Sequence, residues 1–230
     1  MAPAILGLVS QGLVVMAVSQ HHSFSTIVYP VADDEPLAET YDHLYAILVT
    51  LEVLRQYLSG QQATVLANQF LYYAQGLPRL RVAPDVMVIF GVAPGGRDSY
   101  KIWEEGVVPQ VVFEITSQAT QQEDQIYKRR LYAEIGVQEY WLFDPKGEWL
   151  EPSLIGYQLV ADQYQPMDDL CSSVLGLQLQ VEDKLIAFTE IGTGQRLLRP
   201  GELGEALQQE QQRAERLRQQ LRALGVDPIE

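Results

Sequence analysis

The sequence predicts an α/β or α+β fold built around a mostly buried sheet, and three observations carry that expectation. The segments run helix, strands, helix, strand. The stretch "QVVFEITS" sets Val111, Val112, Phe113 and Ile115 almost without a polar face, as in a strand covered on both sides. The chain has 230 residues, 47% of them hydrophobic, which is the composition of an ordinary globular domain and not of a disordered chain.

Taken in order, "APAILGLVSQGLVVMAV" is apolar but lacks the basic flank of a secretory signal, because the first Lys or Arg is Arg55. It is also shorter than the ~20 apolar residues of a membrane span. Met16 offers an alternative start, and a cytoplasmic protein is expected. Residues 1–27 are read as an N-terminal extension, 28–199 as the main domain and 200–230 as a C-terminal helix.

An Asp-Asp-Glu-Pro start, Leu44, Ile47, Leu48, Leu51 and Leu54 at spacings of three and four, and Ser59-Gly60 at the end define an amphipathic helix. "ATVLANQFLYYAQG" reads as one extended segment or a broken hairpin. "RVAPDVMVIFGV" reads as a strand, followed by a loop in which Gly95-Gly96 permits tight turning. After "QVVFEITS", residues 120–135 form a helix stopped by Gly136, and "EYWLFDP" forms a strand. From residue 147 to 188 short β-like pieces alternate with turn residues and read as hairpins extending the same domain. In the tail, Leu203, Leu207, Glu210, Ala214, Leu217, Leu221 and Leu224 step by four and three, a coiled-coil seam with one polar interruption.

Several functions are disfavoured by composition. Cys171 is the only cysteine, so an internal disulfide and a Cys-rich zinc site are excluded. A nucleophilic role would need one of His21, His22 or His43 as partner, and a small hydrophobe is the plainer reading. The net charge of -14 works against non-specific adhesion to nucleic acid, so contact with DNA requires a local basic patch or a metal ion.

Three charged residues sit uncomfortably in their segments. Asp85 enters a strand, Glu114 lies in the middle of one, and Lys128 is on the helix that follows. A buried carboxylate must be protonated, paired or bound to metal. Alternation turns Asp85 away from Val86, Val88 and Phe90, and Glu114 away from Val111, Phe113 and Ile115. On adjacent strands the two carboxylates converge, and two oxygen ligands plus waters and phosphate are what magnesium commonly accepts. Each residue also has a plain reading: Asp85 in a turn after Pro84, Glu114 paired with an arginine such as Arg81, Lys128 solvated or paired with Asp124 four residues earlier. Together, a metal site explains them better.

"APDVMVIFG", "YKIWEEG", "PQVVFEITS", the D-x-x-x-K-x-x-x-Y run from Asp124 through Lys128 to Tyr132, and "GVQEYWLFDP" resemble the Uma-type putative restriction endonuclease family of the PD-(D/E)XK nuclease superfamily. The resemblance spans roughly residues 28 to 188. It implies a restriction-endonuclease-like core, a central mixed sheet flanked by helices, here with extra β-hairpins and the C-terminal helix. It further implies that Asp85 and Glu114 hold Mg²⁺ or Mn²⁺, and that Lys128 supplies the cation the superfamily places at Thr116. The activity implied is Mg-dependent hydrolysis of DNA phosphodiester bonds. Glu39 or Asp42 on the first helix is a candidate outer ligand, and Tyr132 a packing residue that steadies Lys128 by a hydrogen bond.

Arg79, Arg81, Arg97, Lys101, Lys128, Arg129 and Arg130 all border the proposed site, as a positive rim or as scattered solvated charges. Two function classes follow: a metal-dependent endonuclease, or a nuclease-fold protein acting as a binding or assembly module. The missing lysine after Glu114 and the acidic charge favour the second; the order Asp85, Glu114, Lys128 favours the first. About three heptads are marginal alone, so the seam must pack on either a dimer partner or the chain's own domain, and a homodimer joined through the C-terminal helix is expected.

Overall fold

A computed structural model of the chain describes residues 27–32 and 40–224. The apolar N-terminal stretch, the Asp-Asp-Glu-Pro helix start, Glu39 and the final residues after Leu224 lie outside the described residues.

Helix α1 (Tyr41–Tyr57) buries His43, Ala46, Ile47, Val49, Thr50, Val53 and Leu54. The expected stripe is therefore rotated: Leu44 and Leu48 are 44% and 47% exposed. Apolar residues occur all round this helix, so the leucines alone do not identify its inner face.

The next two readings divide where the backbone cannot continue a ladder. "ATVLANQFLYYAQG" becomes β1 (Ala63–Leu66) and β2 (Phe70–Tyr72), separated by Asn68 at φ 56°, a left-handed position that Asn tolerates. "RVAPDVMVIF" becomes β3 (Arg81–Val82) and β4 (Val86–Phe90). Pro84 between them has no N–H to donate, and the chain changes sheets there. β5 (Ser99–Lys101) and the short α2 (Ile102–Glu105) occupy the expected loop. Then come β6 (Val111–Ile115), a π-helical segment (Glu123–Lys128) continuing as α3 (Arg129–Ile135), and β7 (Glu139–Phe143). Gly136 ends α3 at φ 88°, the left-handed cap that glycine adopts without strain.

The hairpin region supplies β8 (Leu154–Val160), β9 (Gln163–Pro166), β10 (Cys171–Ser172), β11 (Leu177–Glu182) and β12 (Leu185–Glu190). The central sheet has the order β1-β4-β6-β7-β8-β9, with only the β6–β7 pair parallel. One face packs on α1 and the β10-β11-β12 sheet through Val86, Val88, Phe113, Trp141 and Phe188. The other packs on α3 and the small β3-β2-β5 sheet through Met87, Ile89, Val112, Tyr132 and Tyr140. Every residue of β6 and β7 is buried, as the two-sided hydrophobicity of "QVVFEITS" requires. Gly156 faces Trp141 across the β7–β8 ladder, and a Cβ there would meet the indole ring at 2.5 Å.

Helix α4 (Pro200–Ala223) closes the described chain and has no buried residue. Among the described residues no helix is long and apolar enough to cross a membrane.

Candidate active site

The β4–β6 register pairs Val86 with Phe113 antiparallel, so the next residues out, Asp85 and Glu114, fall opposite one another. Pro84 and Asp85 explain how the ladder ends. The Pro84 carbonyl is taken by the Asn68 N–H at 3.0 Å, and the Asp85 carboxylate substitutes for backbone, its Oδ2 accepting the Ile115 N–H at 2.6 Å. Asp85 thus grips the residue that follows Glu114.

Glu114 is fully buried and both its oxygens are held. Lys128 Nζ donates to Oε2 at 2.9 Å, and the Tyr132 hydroxyl donates to Oε1 at 2.6 Å. Lys128 also lies 3.0 Å from Asp124 Oδ1, an ion pair without hydrogen-bond alignment. Asp124 is itself placed by neighbours: Thr116 Oγ1 approaches its Oδ2 at 3.5 Å, and the Tyr140 hydroxyl donates to its main-chain carbonyl at 2.8 Å. The helix spacing of four brings Asp124, Lys128 and Tyr132 to one face, and the wide π-helical turn between Asp124 and Lys128 is a form that recurs at functional sites.

Of the plain alternatives, the Lys128–Asp124 pair is present, whereas a Glu114–Arg81 pair and a solvated Lys128 are not. Arg81 lies over the Phe70 ring at 4.2 Å and not on Glu114. Lys128 is 8% exposed and not solvated. Tyr132 bonds Glu114 rather than Lys128. Asp42 pairs with Lys184 at 3.0 Å.

Charge balance sets the site's electrostatics. Burial raises the Glu114 carboxyl; Lys128 pulls it back, Asp85 and Asp124 push it up further, and it settles at about 8. Burial alone would discharge Lys128, but Glu114, Asp124 and Asp85 hold its ammonium above the ordinary lysine range. Three carboxylates therefore face one ammonium.

Sequence reasoning missed His43 as a site residue. Its Nε2 lies 2.5 Å from the Ile115 carbonyl and 3.7 Å from Asp85 Oδ2. A histidine three and four residues before Ala46 and Ile47 shares their inward face, a signal that can be read only once that face is known. His43 opens on a cleft of about 110 Å³ lined also by Thr116, Ser117, Asp144 and Trp149.

The donor set suits a divalent cation of hard character. All candidates are carboxylate oxygens, and the Asp85 and Asp124 carboxyls push the buried Glu114 up, a repulsion that a divalent cation would relieve. Among the described residues no three His, Cys, Asp or Glu side chains converge on one point. The protein's share would be two carboxylates, Asp85 and Glu114, with water and phosphate completing the sphere, as Mg²⁺ commonly accepts.

Several of the basic residues expected to border the site are engaged in ion pairs with nearby acids. Arg97 pairs with Glu105 at 2.9 Å, Lys101 with Glu104 at 3.1 Å and Arg130 with Glu134 at 2.7 Å. Arg129 lies over the Tyr157 ring at 5.3 Å. Arg79 is exposed.

A family model, Uma2, described as a putative restriction endonuclease, matches residues 38–183. A solved putative nuclease of the DUF820 group from Anabaena variabilis ATCC 29413 is 15% identical, over 70% of this chain and 80% of that chain, with a TM-score of 0.45. No curated protein matches the chain.

Proposed function

The chain belongs to the Uma2 putative restriction endonuclease family, and from that premise we propose that it is a cytoplasmic endonuclease hydrolysing phosphodiester bonds in DNA with Mg²⁺ or Mn²⁺. The observation that carries this reading is that Lys128 Nζ stands 2.9 Å from Glu114 Oε2, on a strand whose next N–H is held by Asp85. A helix lysine thereby occupies the role that Thr116 cannot fill.

A divalent metal on Asp85 and Glu114 would make a bound water nucleophilic near neutral pH and offset charge on the phosphate. Lys128, permanently charged in this setting, donates toward the attacking water or the oxygen on which charge develops. Asp124 keeps that ammonium aimed at Glu114. Tyr132 fixes the Glu114 carboxylate from its other oxygen. His43 braces the Ile115 carbonyl, holding the strand end that carries both acids' contacts. On this reading the chain acts as a homodimer, joined through α4.

The test is incubation of the full chain with supercoiled and linear DNA in Mg²⁺ or Mn²⁺, beside Asp85→Asn, Glu114→Gln and Lys128→Ala. Metal-dependent cleavage by the parent chain and its loss in all three variants is expected. Cleavage surviving all three substitutions would rule out this site. No cleavage in any buffer favours the second reading, a nuclease-fold binding or assembly module, which the local neutralisation of Arg97, Lys101 and Arg130 supports.

A further inference from the structure

Helix α4 meets α1 of its own chain, where Leu203 borders a cleft beside Val53, Gln56 and Tyr57, and buries no residue of its own. Leu203, Leu207, Leu217, Leu221 and Leu224 are 41%, 59%, 51%, 39% and 79% exposed. The helix is fastened at its start. Arg196 bridges Glu182 at 2.6 Å and Glu202 at 2.8 Å, and Arg199 reaches Glu182 at 3.0 Å. Beyond that anchor its apolar seam runs free for most of a helix about 36 Å long, and a helix of this length with few apolar residues gains its stability from packing.

We infer that α4 pairs antiparallel with α4 of a second copy of this chain. The layers are Leu203 on the partner's Leu221, Leu207 on the partner's Leu217, and Glu210 on the partner's Ala214, each repeated by the twofold axis. The inference rests on the homodimer reading above and is independent of nuclease activity.

Charge selects the direction. In a parallel pair the seam would set Glu210 against the partner's Glu210, two like charges in one layer, and Arg213 would flank the partner's Arg218, a second like-charge contact. Reversing one helix replaces the first clash with Glu210 over the small Ala214 side chain. The two Arg213 then meet beside the twofold axis, but each lies between its own Glu210, 3.5 Å from its guanidinium, and the partner's Glu210, so this layer holds two acids and two bases instead of like charges alone. The four remaining layers are Leu on Leu. The anchor adds a steric reason: a parallel pair brings two globular bodies to the same end of the helices, and an antiparallel pair sends them to opposite ends.

The chain's single cysteine makes the geometry measurable. In the full-length Cys171→Ser background, Leu207→Cys and Leu217→Cys are made separately, given different tags, and also co-expressed. Two copies of position 207 lie ten residues apart along an antiparallel pair, about 15 Å, whereas positions 207 and 217 share a layer. A short bismaleimide should crosslink most of the co-purified 207/217 heterodimer and leave each single-variant homodimer at background. Crosslinking of Leu207→Cys to itself would show a parallel pair and overturn the inference. A dimer mass without the mixed crosslink would also overturn it while leaving homodimerisation standing. Sedimentation of the parent chain should give twice the 25.9 kDa monomer; a monomeric mass removes the pairing and the inference together. Leu207→Asp with Leu217→Asp should abolish the dimer and leave the thermal transition of the globular body in place, because no α4 residue is buried in the monomer.

Discussion

The Tyr132 hydroxyl donates to Glu114 Oε1 at 2.6 Å, from the helical turn after the one whose lysine holds the other oxygen of the same carboxylate. Two donors from one helix thus fix the orientation of a single acid in the middle of a buried strand. Burial, then the neighbouring Glu114, keep the phenol protonated far above its usual range, so it remains a donor at every working pH.

Tyr132→Phe tests that arrangement with little change in shape. The ring retains its contact with Tyr140, at a centroid distance of 5.2 Å, and only the hydroxyl is lost. Leaving a buried carboxylate oxygen short of one partner should cost about 1–3 kcal/mol in urea unfolding. Cleavage should fall in kcat more than in KM, because the acid turns while the DNA-facing surface is unchanged. Equal kcat in variant and parent would remove Tyr132 from the working site.

Glu114 makes stability depend on pH in a predictable direction. Its folded pKa of about 8 lies above the ordinary 4.5, so the folded protein binds a proton that the unfolded chain releases between those values. Stability from this group is full below about pH 4.5 and is lost as pH rises through 8. In chelator, the melting temperature of the parent chain should decline across that window relative to Glu114→Gln, which cannot titrate. Each kcal/mol corresponds to about 2–4 °C for a domain of this size. Parallel melting curves for the two proteins from pH 5 to 8 would show that Glu114 does not carry the proton.

Above about pH 8, where Glu114 is ionised, Lys128 is the counter-ion to two buried carboxylates, 2.9 Å from Glu114 and 3.0 Å from Asp124. Lys128→Met keeps the stem and deletes the charge. Removing one partner of a buried pair costs about 3–5 kcal/mol, and chemical denaturation should show a loss of that order. Adding Glu114→Gln to the same chain should recover part of it. Strict additivity of the two substitutions would mean that the pair is not coupled in the folded state.

What the sequence revealed depended on whether periodicity had one solution. "QVVFEITS" has no polar face, so its burial on both sides followed directly, and alternation set Glu114 opposite Phe113 and Ile115. The four-residue steps from Asp124 to Lys128 to Tyr132 fit one helix face, but the same spacing suits an α or a π turn, so the π-helical segment was not legible. "RVAPDVMVIF" read as one strand because Val82 and Val86 are both apolar; only the partner strands show that they serve different sheets. Helix α1 is apolar on several sides, which left its inner face, and with it His43, undetermined. The ion pairs of Arg97, Lys101 and Arg130 were equally hidden, because Glu105, Glu104 and Glu134 sit close in sequence to those cations but nothing in the spacing requires them to turn toward them.

His43 supplies the last prediction. A carbonyl can only accept, so its 2.5 Å contact with the Ile115 oxygen assigns the proton to Nε2. Ile115 is then held at both backbone groups, its N–H by Asp85 and its C=O by His43. His43→Ala removes the brace on the strand end beside Glu114 and leaves a buried carbonyl unsatisfied, at about 1–3 kcal/mol. His43→Gln keeps an N–H of similar reach. A positioning role requires that the alanine variant lose kcat at a temperature well below its melting point, with KM for DNA unchanged, and that glutamine restore most of both rate and stability. If the alanine variant merely melts earlier and cleaves at the parent rate when folded, His43 is a structural prop and Asp85 holds its place without it.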